Sequence, residues 1–217
     1  MPEFLTSNVA AVIALAGVLV GGLVTGGISF FNAWVMRNRD FQLKLWERLL
    51  DRRIMAHEAV LEISLKMRLM VSFQRVDSAG ELVRAPLVMR PKEEFDEWLG
   101  EFAEKSLPAT TWLSTAVKRE LNFVQDYLVT LHTKLADVSP QPQHCATVGM
   151  FIRQDFIDLS AELEKMTFKF FKSEMQALRL NDLTDWHKYP REETDKRLQN
   201  TALMRRWPEI AMRLSRT

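Results

Sequence analysis

The sequence predicts an all-α chain in which an N-terminal transmembrane helix continues into a cytoplasmic up-and-down helical bundle. Three observations carry that expectation. No Asp, Glu, Lys or Arg occurs from Phe4 through Met36. Apolar residues then recur by threes and fours along several long segments, the period of an amphipathic helix. Two-residue alternation nowhere lasts long enough to predict a sheet.

The first element is the apolar run itself. Val9 to Phe31 is almost entirely hydrocarbon and glycine, and as a helix of roughly 35 Å it exceeds a hydrocarbon core of about 30 Å. A buried helix of a soluble protein is rarely this long and continuous. A secretory signal peptide needs a basic region before a shorter apolar core, and here only Glu3 and the amino terminus precede the run. The expected division is a short extracytoplasmic stretch 1–8, a transmembrane helix 9–35, a cytoplasmic bundle 36–180 with a loop at 76–91, and a basic C-terminal helix and tail 181–217.

Orientation follows from charge. Arg37, Arg39, Lys44, Arg48, Arg52 and Arg53 follow the run, so the positive-inside bias places the N-terminus outside and the remainder in the cytoplasm. Phe30, Phe31 and Trp34, with Arg37 and Arg39, are the expected interfacial anchors. The same basic residues suit an anionic leaflet. Inside the run lie five of the eight glycines. Gly17, Gly21, Thr25 and Ser29 fall at four-residue spacing, with Gly22 and Gly26 alongside, a small-residue stripe that predicts helix packing and a homo-oligomer.

No glycine or proline interrupts Ile28 to Ala79, so nothing obliges the first helix to stop at the inner surface. Trp46, Leu49, Ala56, Val60, Ile63, Met67 and Met70 form one apolar face, broken by Arg53. Asp40 with Lys44 and Glu62 with Lys66 are i,i+4 pairs in the favourable order. Val76 to Lys92 is a hairpin-like stretch in which Leu82, Val83, Leu87 and Val88 could form short extended pieces, and it reads as a loop. Pro91 opens a short acidic helix carrying Phe95, Trp98, Leu99 and Phe102 and ending near Lys105, after which Ser106 and Pro108 restart the chain. Leu113, Val117, Leu121, Val124, Leu128, Leu131 and Leu135 predict a long third helix. Ser139, Pro140, Pro142 and Gly149 mark a connection, and Ile152, Phe156, Leu159, Leu163, Met166 and Phe170 a fourth helix reaching about Leu180. Asn181, Asp182, Pro190 and Pro208 then leave a connector, a basic helix around Glu192 to Arg206, and a tail.

Few residues stand in a pattern that carries chemistry. His57 and Glu58 begin a helical zinc motif, but position 61 is Leu, not the second histidine. No Glu-x-x-His pair supports a di-iron bundle. His144 and Cys145 are loop neighbours, read as packing rather than as a reactive thiol. His132 and His187 lack ligand-spaced companions. Gly80, Gly100 and Gly149 belong to no phosphate-binding fingerprint. One cysteine excludes an internal disulfide framework. Twenty-nine basic against 28 acidic residues leave no polyanion-binding tail, so no nucleic-acid partner is expected, and no cofactor, metal or catalytic residue is assigned. The basic residues beyond Trp186 read as a solvated face, with headgroup contact or a docking tail as the alternatives. The acidic residues from Glu93 to Glu104 read as an exposed face.

The run Leu43-Lys44-Leu45-Trp46-Glu47-Arg48, followed by Asp51-Arg52-Arg53 and the seam through Val60, resembles a layout found in small bacterial membrane-anchored proteins of unknown function. The resemblance covers about the first third of the chain. It implies a bacterial inner-membrane protein with one N-terminal span before a helical bundle, and it brings no catalytic residues. Two functions remain in view. One is a non-enzymatic, self-associating scaffold that recruits an unidentified protein partner at the lipid bilayer. The other is a membrane-perturbing effector of a bacterial stress or phage-defence system.

Overall fold

The computed structural model describes residues 2–76, 82–137, 142–174 and 191–215. The chain is predominantly helical and divides into two units, Met1–Asp51 and Arg52–Thr217. Helix α1 runs Pro2–Arg68 and contributes to both. With no helix breaker after Gly27 until beyond its end, every backbone N–H can reach its i−4 carbonyl.

In the first unit, the most apolar window of α1 has a mean hydropathy of 2.2 and none of it is buried. Val18, Leu23 and Phe30 are about three-quarters exposed, at 74%, 76% and 75%. This helix is long and apolar enough to cross a membrane.

In the second unit, the α1 seam Ala56, Val60, Ile63 and Met67 is buried. It joins a hydrophobic core with α2 (Lys92–Ala109), α3 (Thr115–Ala136) and α4 (Pro142–Lys169). All seven residues of the predicted α3 seam, Leu113 through Leu135, are buried, and Ser114 caps that helix through the Val117 N–H. Arg53, which breaks the α1 seam, is not in the core: its guanidinium lies 4.9 Å from the Phe170 ring centroid, a cation–π contact that leaves the charge at the edge.

Four boundaries differ from expectation. The seam expected to stay helical to Met70 stops at Arg68, and strand β1 (Met70–Val76) pairs antiparallel with β2 (Leu82–Pro86), which lies in the segment read as a loop, with Met70 opposite Pro86, Val71 opposite Ala85 and an irregularity before Val76. The chain then makes a 3-10 turn at Leu87–Met89. Asp77, Ser78 and Gly80 lie outside the described residues. Helix α2 does not end near Lys105 but continues through Pro108 to Ala109, because Ser106 and Ala109 extend the buried face of Phe95, Trp98 and Phe102. The Ser106 carbonyl then accepts from both the Thr110 N–H and its hydroxyl.

Helix α4 begins at Pro142, so His144, Cys145 and Gly149 are helical rather than loop residues. A Cβ at Gly149 would stand 2.9 Å from the Met89 Cβ and 3.2 Å from the Ala85 Cβ. This glycine is there for close approach of α4 to the hairpin, not to break the chain. A π-helical turn, Phe170–Glu174, follows α4. Finally, the C-terminal part holds two helices, α5 (Arg191–Gln199) and α6 (Ala202–Leu214), with Pro208 inside the second. Leu203, Ile210 and Leu214 bury one side of α6, which outweighs the hydrogen bond that proline removes. Ser139, Pro140, Leu180, Asn181, Asp182, Trp186, His187, Lys188, Pro190 and Arg216 lie outside the described residues.

Candidate functional site

The residues singled out on α1 have simple surroundings. Gly17, Gly21, Gly22 and Gly26 have nothing within 4 Å of a built Cβ, so their faces are open. Thr25 donates its hydroxyl to the Gly21 carbonyl at 2.8 Å, which satisfies it inside the helix and lets it sit on an apolar surface. Ser29 is exposed. Phe31 and Trp34 are a tilted aromatic pair with centroids 6.3 Å apart. Phe30, Trp34, Arg37 and Arg39 are all exposed. Of the two i,i+4 pairs, Glu62–Lys66 closes at 3.7 Å, while Asp40 and Lys44 form no ion pair.

His57 is fully buried. Its Nδ1 lies 2.6 Å from the Arg53 carbonyl and its Nε2 accepts the Ser114 N–H at 3.2 Å. Those partners require a neutral ring with the proton on Nδ1. The ring stacks on Phe170 at 3.6 Å between centroids. Burial pushes its pKa down to about 4; the Arg53 carbonyl opposes the shift and the Arg53 charge adds to it. His57 thus fastens α1 to the start of α3 and to the π turn after α4, with neither nitrogen left for a substrate or metal.

Cys145 is buried and its thiol is pushed up to about 12, first by burial and then by the Asp96 and Glu93 charges. No nucleophilic thiolate exists there at neutral pH. His144 is buried. His132 stands 3.5 Å from Asp96 Oδ1, a contact that becomes an ion pair only when the ring is protonated and supplies no hydrogen bond. Among the described residues no group of three His, Cys, Asp or Glu side chains is placed to hold a metal.

Asp155 is a buried carboxylate with three hydrogen-bond donors, which sequence reasoning missed. Its carboxylate accepts the N–H groups of Ala202 and Leu203 at 2.7 and 2.8 Å and the Tyr127 hydroxyl at 3.0 Å. Burial raises its pKa, and these three hydrogen bonds oppose the rise. The Tyr127 pKa is raised by burial and by the Asp155 charge. The carboxylate caps α6 across a helix boundary, a role at a helix N-terminus that needs no ligand. Nearby, Arg197 forms a bidentate pair with Glu120 and lies 3.8 Å from the Phe123 ring centroid. Arg206 and Arg213 lie over Phe151. Several C-terminal basic residues are therefore fastened to α3 and α4 rather than simply solvated. The signal for Asp155 was its place among Ile152, Phe156 and Leu159, on the apolar arc of α4.

On α2, a depression lined by Glu94, Glu97, Trp98, Gly100, Glu101 and Glu104 opens to solvent. A crevice of about 10 Å³ lies beneath Glu62, Lys66, Glu101 and Lys105, room for about one water. Those four side chains form a charge lattice: Lys105 reaches Glu62 at 2.7 Å and Glu101 at 2.9 Å, and Lys66 reaches Glu101 at 2.6 Å. The lattice ties α1 to α2 at an exposed surface. No family model, no curated protein and no solved structure matches the chain.

Proposed function

We propose that the chain is a non-enzymatic, membrane-anchored interaction module. In this reading the apolar part of α1 crosses the bacterial inner membrane with its short N-terminal end outside. The second unit forms an up-and-down helical bundle on the cytoplasmic side, where it recruits or senses a protein partner. The observation that carries it is the exposed apolar surface of α1, none of whose most apolar window is buried: in water such a surface is unfavourable by about 25 cal/mol per Å², and lipid removes that cost.

Orientation rests on Arg37, Arg39, Lys44 and Arg48 beyond the apolar run. The non-enzymatic reading draws on the engaged state of the groups best suited to chemistry: His57 is bonded through both nitrogens, Cys145 is a buried thiol, and Asp155 caps a helix. Association through the glycine-rich surface draws on its open faces and on the confinement of copies to one membrane, which raises their effective concentration. The test is expression of the full chain in a bacterium, separation of membranes, and an alkaline carbonate wash. The chain is expected in the washed membrane pellet, and a protease added outside the inner membrane is expected to leave the second unit intact. Release into the supernatant would end the reading.

A further inference from the structure

Between Arg37 and Asp51, α1 carries seven charged side chains: Arg37, Arg39, Asp40, Lys44, Glu47, Arg48 and Asp51. At about 100° per residue, all but Arg39 fall within an arc of about 100°. Along that arc the signs alternate without exception: Arg37, Asp40, Lys44, Glu47, Arg48, Asp51. These six are exposed, and none forms an ion pair among the described residues, although several are three or four positions apart. Elsewhere such neighbours do close: Lys92–Asp96 at 3.4 Å and Arg206–Glu209 at 3.3 Å.

Across the arc the acids Glu47, Asp40 and Asp51 lie toward one edge and the bases Lys44, Arg37 and Arg48 toward the other. Two parallel helices related by a two-fold axis bring the basic edge of each beside the acidic edge of the other, and every such contact occurs twice. Arg37 then meets Asp40 of the second copy, Lys44 meets its Asp40 and Glu47, and Arg48 meets its Asp51. Extending the same arc toward the N-terminus brings Gly22, Gly26, Ser29 and Ala33 onto it together with the larger Leu15, Leu19 and Phe30, and the two glycines have open faces. The small residues leave room only between those larger side chains, so the register is carried by the charged pairs rather than by close backbone approach. Gly17, Gly21 and Thr25 lie off this arc.

We propose that the alternating-charge arc from Arg37 to Asp51 is the face through which two copies of this chain associate in parallel. Interhelical Arg37–Asp40, Lys44–Glu47 and Arg48–Asp51 pairs fix their register. The inference rests on the membrane-anchored reading, because a shared span orientation is what makes the helices parallel. Exposed ion pairs are individually weak, so their role is to select partner and register among copies already confined to one bilayer.

The experiment uses the full chain, labelled at its C-terminus with donor or acceptor fluorophores and reconstituted into phosphatidylcholine vesicles, with energy transfer followed against the protein-to-lipid ratio. One variant makes the arc all basic (Asp40→Lys, Glu47→Lys, Asp51→Lys), and a second makes it all acidic (Arg37→Glu, Lys44→Glu, Arg48→Glu). Each variant alone is expected to self-associate about tenfold more weakly than the unaltered chain at low salt, and an equimolar mixture of the two to recover the unaltered level. Gln42→Glu, exposed and off the arc, is expected to change nothing. Self-association of the all-basic variant at the unaltered level, or a mixture no better than its components, overturns the proposal. So does an unaltered chain that stays monomeric at every ratio. Flotation of the unaltered chain with vesicles reports separately on anchoring, so loss of this interface leaves the anchored reading standing.

Discussion

At the scale of single residues, the polar groups that look most chemical are spent on holding helices together. His57 shows the consequence for pH. Its folded pKa of about 4 lies below the unfolded value near 6.5, so between those values the unfolded chain binds a proton that the folded chain refuses. The contribution is complete above about pH 6.5 and is lost as pH falls toward 4, up to about 3 kcal/mol. Denaturation of the detergent-solubilised full chain, followed by near-UV circular dichroism, is expected to show that loss, and His57→Gln to flatten it while lowering stability at neutral pH by about 1–3 kcal/mol. A slope unchanged in the variant would assign the pH response elsewhere. None of this was legible in the sequence, where His57 is one polar residue beside an apolar seam; its partners Ser114 and Phe170 lie on segments that only folding brings together. Asp155 was legible only as a carboxylate on an apolar arc.

At the scale of elements, stripes at helical spacing located α1, α3 and much of α4, because burial of one face is what makes such a helix stable and leaves a periodic trace. The short hairpin left only a faint trace, in the possible extended pieces at Leu82 and Val83, and none for its first strand. Its second strand buries Ala85, and its position depends on Gly149 of α4 coming close. Gly149 and Gly100 separate these effects. In a helix interior glycine is worse than alanine by about 1 kcal/mol, and Gly100 is exposed with nothing near its missing Cβ. Gly100→Ala is therefore expected to stabilise by about 0.5–1 kcal/mol. Gly149→Ala meets two Cβ atoms that only backbone movement can displace, so overpacking outweighs the propensity gain, with a net loss of about 1–3 kcal/mol. Urea titration of both variants checks the pair; equal effects would mean that the hairpin yields freely.

At the scale of the whole molecule, the two functional readings differ in what happens to the bilayer. An anchor is inert toward the membrane potential, whereas an effector dissipates it. Induced expression in a bacterium carrying a potential-sensitive dye is expected to show no depolarisation; a collapse of the potential would favour the perturbing reading and place the glycine surface at its centre. The sequence by itself determined the apolar surface of the first helix, the charges that follow it and the helical seams, since each is a pattern along one continuous segment. Tertiary structure alone decided the pairing of the hairpin, the extension of α2 past Pro108, the helical start of α4, and the neutral, fully bonded state of His57. Those features come from contacts between segments far apart in the chain, where the free energy of burial and hydrogen bonding in three dimensions overrides local residue preference.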